Sequence, residues 1–185
     1  GEHDTVNTHT AFRLGSVSKG FASVLTGIMV EEGSIGWDDR IQSYLNDFRM
    51  KDTSAASHMT VRNILSHTTG FPEHTYTDML DQGYDYDKIK GALAGVSTIA
   101  KPGQIYGYQN VAYSLIGDVL YNASGRDYNN LLQDKIFVPL NMRDVTPLVC
   151  DAEKIIWVVK TRVSEAVKFE RGGKTHKTIR LSLKE

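Results

Sequence analysis

Ser16-Val17-Ser18-Lys19 sets a hydroxyl and an amine three residues apart, just ahead of an apolar helical stretch. Residues so spaced share one face of a helix. A serine alcohol is a weak nucleophile at neutral pH and needs a base within hydrogen-bond reach, and a partly desolvated lysine can lose its proton and serve. The chemistry such a pair supports is acyl transfer, with Ser16 attacking and Lys19 taking the proton. Phe21, Val24, Leu25, Ile28 and Met29 recur at the spacing of one helical face, so Ser16 stands at or near a helix N-terminus. The unpaired N–H groups there favour a developing oxyanion. The same tetrapeptide also reads as an ordinary helix start, with Ser16 or Ser18 as N-cap and Lys19 a solvated lysine of the first turn.

A second constellation adds weight to the chemical reading. Lys101-Pro102-Gly103-Gln104-Ile105-Tyr106-Gly107-Tyr108-Gln109-Asn110 leads into the apolar run Val111 to Gly117, so a turn delivers a Tyr-x-Asn to the head of another helix. The tripeptide alone discriminates little, because Tyr44-Leu45-Asn46 and Tyr128-Asn129-Asn130 match it too. Tyr44 and Tyr128 lie in helix-like apolar patterns, where an aromatic belongs to the core. Tyr108 instead follows a Pro-Gly turn, with Asn110 placed as an N-cap.

Between these elements lies Thr60-Val61-Arg62-Asn63-Ile64-Leu65-Ser66-His67-Thr68-Thr69-Gly70-Phe71-Pro72. With all three segments in order, the chain resembles the penicillin-recognising serine hydrolases, in the branch of class C β-lactamases, D-alanyl-D-alanine peptidases and β-lactamase-like esterases. Phe12 to Lys19 is similar to that family's nucleophile segment, and Ile64 to Pro72 to a loop found throughout the branch; the resemblance runs over residues 10 to 145. It implies Ser16 as the acylated nucleophile, Lys19 as its proton acceptor or electrostatic partner, Tyr108 as a proton relay and Asn110 as a binder of the substrate's amide. Whether lysine or tyrosine is the acylation base stays open, since an amine beside a phenol titrates as a coupled pair. The implied substrates are a β-lactam, a D-alanyl-D-alanine peptide or a small ester, and no cofactor is implied. The implied location is periplasmic or secreted, although the chain carries no recognisable signal peptide.

Two departures set the alternative. The family's third motif, Lys-Thr-Gly or His-Thr-Gly on a strand lining the site, is not found: lysine precedes threonine at Lys160, Lys174 and Lys177, yet glycine follows none of these pairs. The chain also looks incomplete beside the family, with neither the strands that precede the nucleophile segment nor the large portion that completes the sheet. The alternative function is therefore a catalytically inactive remnant or truncated fragment of such a hydrolase. Without a sheet against it, the Ser16 helix would expose Phe21, Leu25 and Ile28.

The fold class expected is α+β, a mainly helical portion of a serine β-lactamase-like fold with a small antiparallel sheet from the tail, in a single domain over 1–185. Helices are expected near 17–32, 60–66, 86–95, 110–124 and 127–136, with Gly33 and Gly125 just past helix ends and Thr60 and Asp127 as N-caps. Trp37 to Leu45 reads as a short helical turn packing Trp37, Ile41 and Leu45, and 67–85 as a long loop. The tail segments 155–160, 167–170 and 178–183 read as strands, with Arg171 to Lys174 as a hairpin turn.

Composition fits a globular chain: 185 residues, 41% hydrophobic, 23% charged, net charge -1. Near-neutral charge gives no electrostatic case for nucleic acid or an anionic membrane. No apolar run approaches the roughly 20 residues of a membrane span. The single Cys150 excludes an intrachain disulfide, and the six histidines lack metal-ligand spacing. His67 is expected to brace its loop through hydrogen bonds. The oligomeric state is left open.

Overall fold

The computed structural model describes residues 15–140, which form helices and short turns joined by close-fitting loops. A 3-10 turn, Gly15–Ser18, runs directly into helix α1, Lys19–Glu31. α1 ends as expected, with Gly33 in the left-handed region at φ +72°. The Gly33 N–H donates to the Val30 carbonyl at 3.0 Å and the Ser34 N–H to the Met29 carbonyl at 2.9 Å. These two bonds satisfy carbonyls that the helix end would otherwise leave open. Ala22, Leu25, Thr26 and Met29 are buried. Burying a side chain such as leucine or methionine is worth about 1.5–3 kcal/mol, so this stripe fixes the helix rotation.

The neighbouring stripe of α1 behaves differently from expectation. Leu25 is fully buried, while Phe21 and Ile28 are half-buried and pack against the core. The exposed apolar residues are Val17 and Val24, at 69% and 55%. Cover comes from α6, Val111–Ser124, and from α7, Tyr128–Leu132, which continues into a π-helical turn at Gln133–Phe137. The Phe137 ring meets Phe21 edge to face at 5.6 Å.

Helix α2, Thr53–His58, was not expected; Asp52 caps it by accepting from the Ala55 N–H at 3.0 Å, and that aspartate ahead of Ala55-Ala56 was its readable signal. Helix α3, Val61–Leu65, begins at Thr60 as anticipated. Thr60 Oγ1 accepts from the Asn63 N–H and Asn63 Oδ1 from the Thr60 N–H, a reciprocal cap. The 37–45 segment forms a 3-10 turn at Ile41–Ser43 that buries Ile41 and Leu45 and packs the half-buried Trp37 against the core. Inside the stretch read as a long loop sits a five-residue helix α4, Thr77–Asp81, preceded by Tyr76 in the left-handed region and lacking any side-chain cap. A single turn without cap chemistry leaves no periodicity to detect. Helix α5, Tyr86–Ala92, passes into a 3-10 turn at Leu93–Gly95.

No strand occurs among the described residues; Arg40 and Thr60 form an isolated antiparallel bridge. The expected sheet falls on the tail, outside the described residues.

What brings the site together is the fit of two irregular segments, 67–74 and 99–108. The Gly107 N–H donates to the His67 carbonyl at 2.8 Å, Gly103 N–H to Thr68 at 2.7 Å, Ile99 N–H to Gly70 at 2.9 Å, and His74 N–H to Tyr108 at 2.8 Å. Gly70 has φ +83°, and a Cβ there would lie 2.2 Å from the Ala100 carbonyl oxygen. Only glycine allows that approach without moving backbone. Gly70→Ala is therefore expected to lower stability by about 2 kcal/mol or more, from left-handed strain and the forced separation of the two segments. An unchanged urea midpoint would show that they do not meet in this register.

Candidate active site

Ser16 occupies the 3-10 turn and Lys19 is the first residue of α1. With three residues per turn, positions i and i+3 lie almost in line, so the turn places the lysine beside the hydroxyl more directly than an α-helical face would. The Lys19 Nζ donates to Ser16 Oγ at 3.1 Å. The reading of Ser18 as a capping serine is not met: it has helical dihedrals and makes no side-chain capping bond, because the turn continues smoothly into the helix.

Tyr108 and Asn110 arrive from a segment some ninety residues away. The Tyr108 hydroxyl donates to Ser16 Oγ at 2.6 Å, and Lys19 Nζ donates to Asn110 Oδ1 at 2.8 Å. Asn110 directly precedes α6, as an N-cap should, yet it has helical dihedrals and makes no capping bond. Its amide is turned into the site instead, Nδ2 reaching Thr77 Oγ1 at 3.4 Å while Oδ1 holds the lysine. Asp127, also expected as a cap, precedes α7 in an extended conformation without a side-chain capping bond.

The other two Tyr-x-Asn tyrosines lie elsewhere. Tyr44 donates to Asp39 Oδ2 at 2.6 Å, and burial, reinforced by that carboxylate, pushes its phenol up to about 12. Tyr128 is buried, and burial, with Tyr113 nearby, raises its phenol far above neutral pH.

An aromatic stack that spacing did not reveal surrounds the lysine. Its Nζ lies 5.1 Å from the Tyr108 ring centroid and 5.6 Å from that of Tyr113, within the range of cation–π attraction. The Tyr113 hydroxyl donates to the Lys19 carbonyl at 2.7 Å and also lies 2.8 Å from Ser23 Oγ. Burial raises the Tyr113 phenol, with Tyr108 adding to the effect, so it stays a protonated donor. The His67 ring stacks on Tyr113 at 5.0 Å and lies against Tyr108 at 4.5 Å, while His74 meets Tyr108 from another side at 5.5 Å. Tyr113, three positions past Asn110 in the first turn of α6, reads in sequence as one more apolar core residue; only its polar end distinguishes it.

Two donors converge on one seryl oxygen, so Ser16 is held and oriented, with its own proton pointing away from both. Attack on an acyl carbon requires either the Lys19 amine or the Tyr108 oxygen to have lost a proton first and to turn a lone pair toward Ser16. The geometry accommodates either. Among the described residues, no cluster of three or more His, Cys, Asp or Glu side chains is arranged to hold a metal ion, and no helix is long and apolar enough to cross a membrane.

The brace anticipated at His67 is present. The Gln109 N–H donates to His67 Nδ1 at 3.1 Å, and burial, with the charge of Lys19, lowers the imidazole below its ordinary 6.5. The unfolded chain therefore takes up this proton at a higher pH than the folded one. The stability that His67 contributes is full above about 6.5 and declines as the pH falls toward the lowered folded value. Urea midpoints at pH 7.5 and 5.5 should fall further for the wild type than for His67→Asn; parallel declines would place the slope on other groups.

The model of the Beta-lactamase family matches residues 1–153. Penicillin-binding protein 4 of Amycolatopsis lactamdurans is 29% identical over 140 residues, covering 74% of this chain and 36% of that protein. The chain thus spans about a third of the length of the curated relatives it matches. The octameric penicillin-binding protein homologue from Pyrococcus abyssi superposes with a TM-score of 0.60 at 26% identity, over 69% of this chain and 31% of its own. D-amino acid amidase from Ochrobactrum anthropi SV3 gives 0.61 at 25% identity, over 75% and 38%. With the family's segments in order and its helical portion superposing, the chain belongs to the Beta-lactamase family.

Proposed function

We propose that the protein is a serine hydrolase that works through an acyl-enzyme on Ser16. The observation that carries this reading is the convergence of Lys19 Nζ and Tyr108 Oη on Ser16 Oγ, at 3.1 and 2.6 Å. Ser16 attacks the acyl carbon. Its proton passes to the Lys19–Tyr108 pair, which returns a proton to the leaving group and later activates water. Asn110 holds the lysine through Oδ1 and turns its amide toward the substrate's own amide. The substrate is a β-lactam, a D-alanyl-D-alanine peptide or a small ester; the likeness to D-amino acid amidase adds small amides to that class. Secretion or a periplasmic location suits such substrates.

A second reading, that the chain is an inactive remnant, has one observation on its side: no Lys-Thr pair within residues 1–185 is followed by glycine. Removal of one oxyanion donor weakens transition-state binding by about 3–4 kcal/mol, so a site without the Lys-Thr-Gly strand would be both acylated and deacylated more slowly by about a hundredfold or more.

Ser16→Ala should abolish labelling by a fluorescent penicillin and by an activated ester while shifting stability by no more than about 0.5 kcal/mol, since the side chain is exposed and caps nothing. Equal labelling of both proteins would refute the nucleophile. Lack of any covalent adduct on wild-type Ser16 at saturating reagent, read by mass spectrometry, would favour the remnant.

Tyr108→Phe keeps the ring and removes the hydroxyl, and should slow acylation about a hundredfold. Tyr44→Phe and Tyr128→Phe carry the same tripeptide and should leave the rate unchanged. If all three behave alike, Tyr108 has no special role. Lys19→Arg retains charge but holds its proton, so near-normal rates in that variant would remove lysine as a base.

A further inference from the structure

His67 makes no hydrogen bond to Ser16, yet it touches both tyrosines of the site and the residue between Tyr108 and Asn110. Its backbone has φ +56°, a conformation uncommon for a non-glycine residue and held here by bonds on both sides. The His67 N–H donates to the Ile64 carbonyl at 3.2 Å, closing α3, and its own carbonyl accepts from Gly107 at 2.8 Å. The ring is thereby aimed between Tyr108 and Tyr113, with centroid distances of 4.5 and 5.0 Å, and Tyr106 closes its edge at 5.8 Å. Nδ1 accepts from the N–H of Gln109, the residue between the proton-relay tyrosine and the lysine-holding asparagine. The side chain is only 8% exposed.

We propose that His67 is a positioning residue for the Ser16 site: its ring sets the height and tilt of the Tyr108 phenol over Ser16, and its Nδ1 lone pair locks Gln109 so that Tyr108 and Asn110 face Ser16 and Lys19 together. The catalytic consequence rests on the hydrolase reading above; the positioning itself does not. The lock requires Nδ1 to be unprotonated, since an N–H there would face the Gln109 N–H donor to donor. The groups packed around the ring are Lys19 from α1, Tyr106 and Tyr108 from the loop before α6, and Tyr113 from α6 itself. Lys19 opposes a second positive charge, and the neutral phenols offer no compensating one. Protonation of His67 therefore releases Gln109 and lets Tyr108 drift from Ser16, giving the site an acid limb that belongs to a residue outside the reacting set.

Two variants separate the ring from the lone pair. His67→Asn tolerates the left-handed backbone and brings an amide oxygen near the place of Nδ1, but has no ring. His67→Phe keeps a ring and loses the acceptor. Acylation of Ser16 by an activated ester should slow about tenfold or more in His67→Phe with KM little changed, and should lose the acid limb that the wild type shows below pH 6.5; His67→Asn should recover part of the rate at pH 7.5. Tyrosine 13Cζ NMR on the full chain supplies the second readout. The wild-type Tyr108 resonance should show an inflection where His67 titrates, absent from both variants, whether or not the protein turns over. If the variants melt near the wild type yet keep its rate and acid limb, or if the Tyr108 resonance follows one curve in all three proteins, the proposal is overturned. Should a variant fail to fold, the wild-type inflection decides the matter: its presence supports the coupling and its absence removes it. Ser16→Ala, run alongside, reports on the hydrolase reading alone.

Discussion

The bond from the Tyr113 hydroxyl to the Lys19 carbonyl, 2.7 Å long, is the constraint on which the site depends. It joins the first turn of α6 to the start of α1; Lys19 opens α1 directly after the turn that carries Ser16, and Tyr108 and Asn110 stand just ahead of α6. An intramolecular hydrogen bond is worth only about 0.5–1.5 kcal/mol net, but leaving a buried phenol or carbonyl unpaired costs more. The bond therefore acts chiefly as a penalty against sliding one helix along the other. Ser23 lies against the same hydroxyl at 2.8 Å, and burial keeps that hydroxyl protonated and in place as a donor.

Around this junction the chain gives up local preferences. Asn110 stands where an asparagine would cap a helix and spends its amide on Lys19 and Thr77 instead. Among the described residues, the non-glycine positions with positive φ are His67 and His74, in the segment packed against Tyr108, and Tyr76, two residues past it. Such conformations each cost about 1–3 kcal/mol and persist only where surrounding bonds over-determine them. Here the surrounding bonds are the backbone contacts between 67–74 and 99–108, reinforced by Gln109, whose side chain donates to the Pro72 carbonyl. Departures from local rules concentrated beside one hydroxyl are the pattern expected of a functional site.

The aromatic stack solves a related problem. A lysine beside a nucleophile must be held in place without being turned away from the hydroxyl. The faces of Tyr108 and Tyr113 and the Asn110 carbonyl oxygen supply attraction and orientation from polar but uncharged groups. His67 fills the space between the two phenols, so the tyrosines cannot collapse onto each other or swing outward.

Short-range physics made much of this legible in the sequence. The long helices α1 and α6 followed from apolar periodicity, Gly33 and Gly125 fell in left-handed positions at their ends, and Thr60 formed its cap with Asn63, because each depends on contacts within a few residues. The sequence alone also nominated Ser16, Lys19, Tyr108 and Asn110, from residue type and spacing together with family resemblance. It did not reveal α4, a single uncapped turn held by its neighbours, or the burial of Leu25, which α6 and α7 cover from more than eighty residues away. Nor did it separate Tyr113 from ordinary core residues, or show that the brace expected at His67 would also stack on Tyr108 and Tyr113. Their roles arise from stacking and hydrogen bonds across segments distant in the chain. Sequence by itself determined which groups are available and where helices begin and end; tertiary packing alone decided which meet, because distances of 2.6–3.1 Å at one oxygen are set by how whole helices and loops lock together.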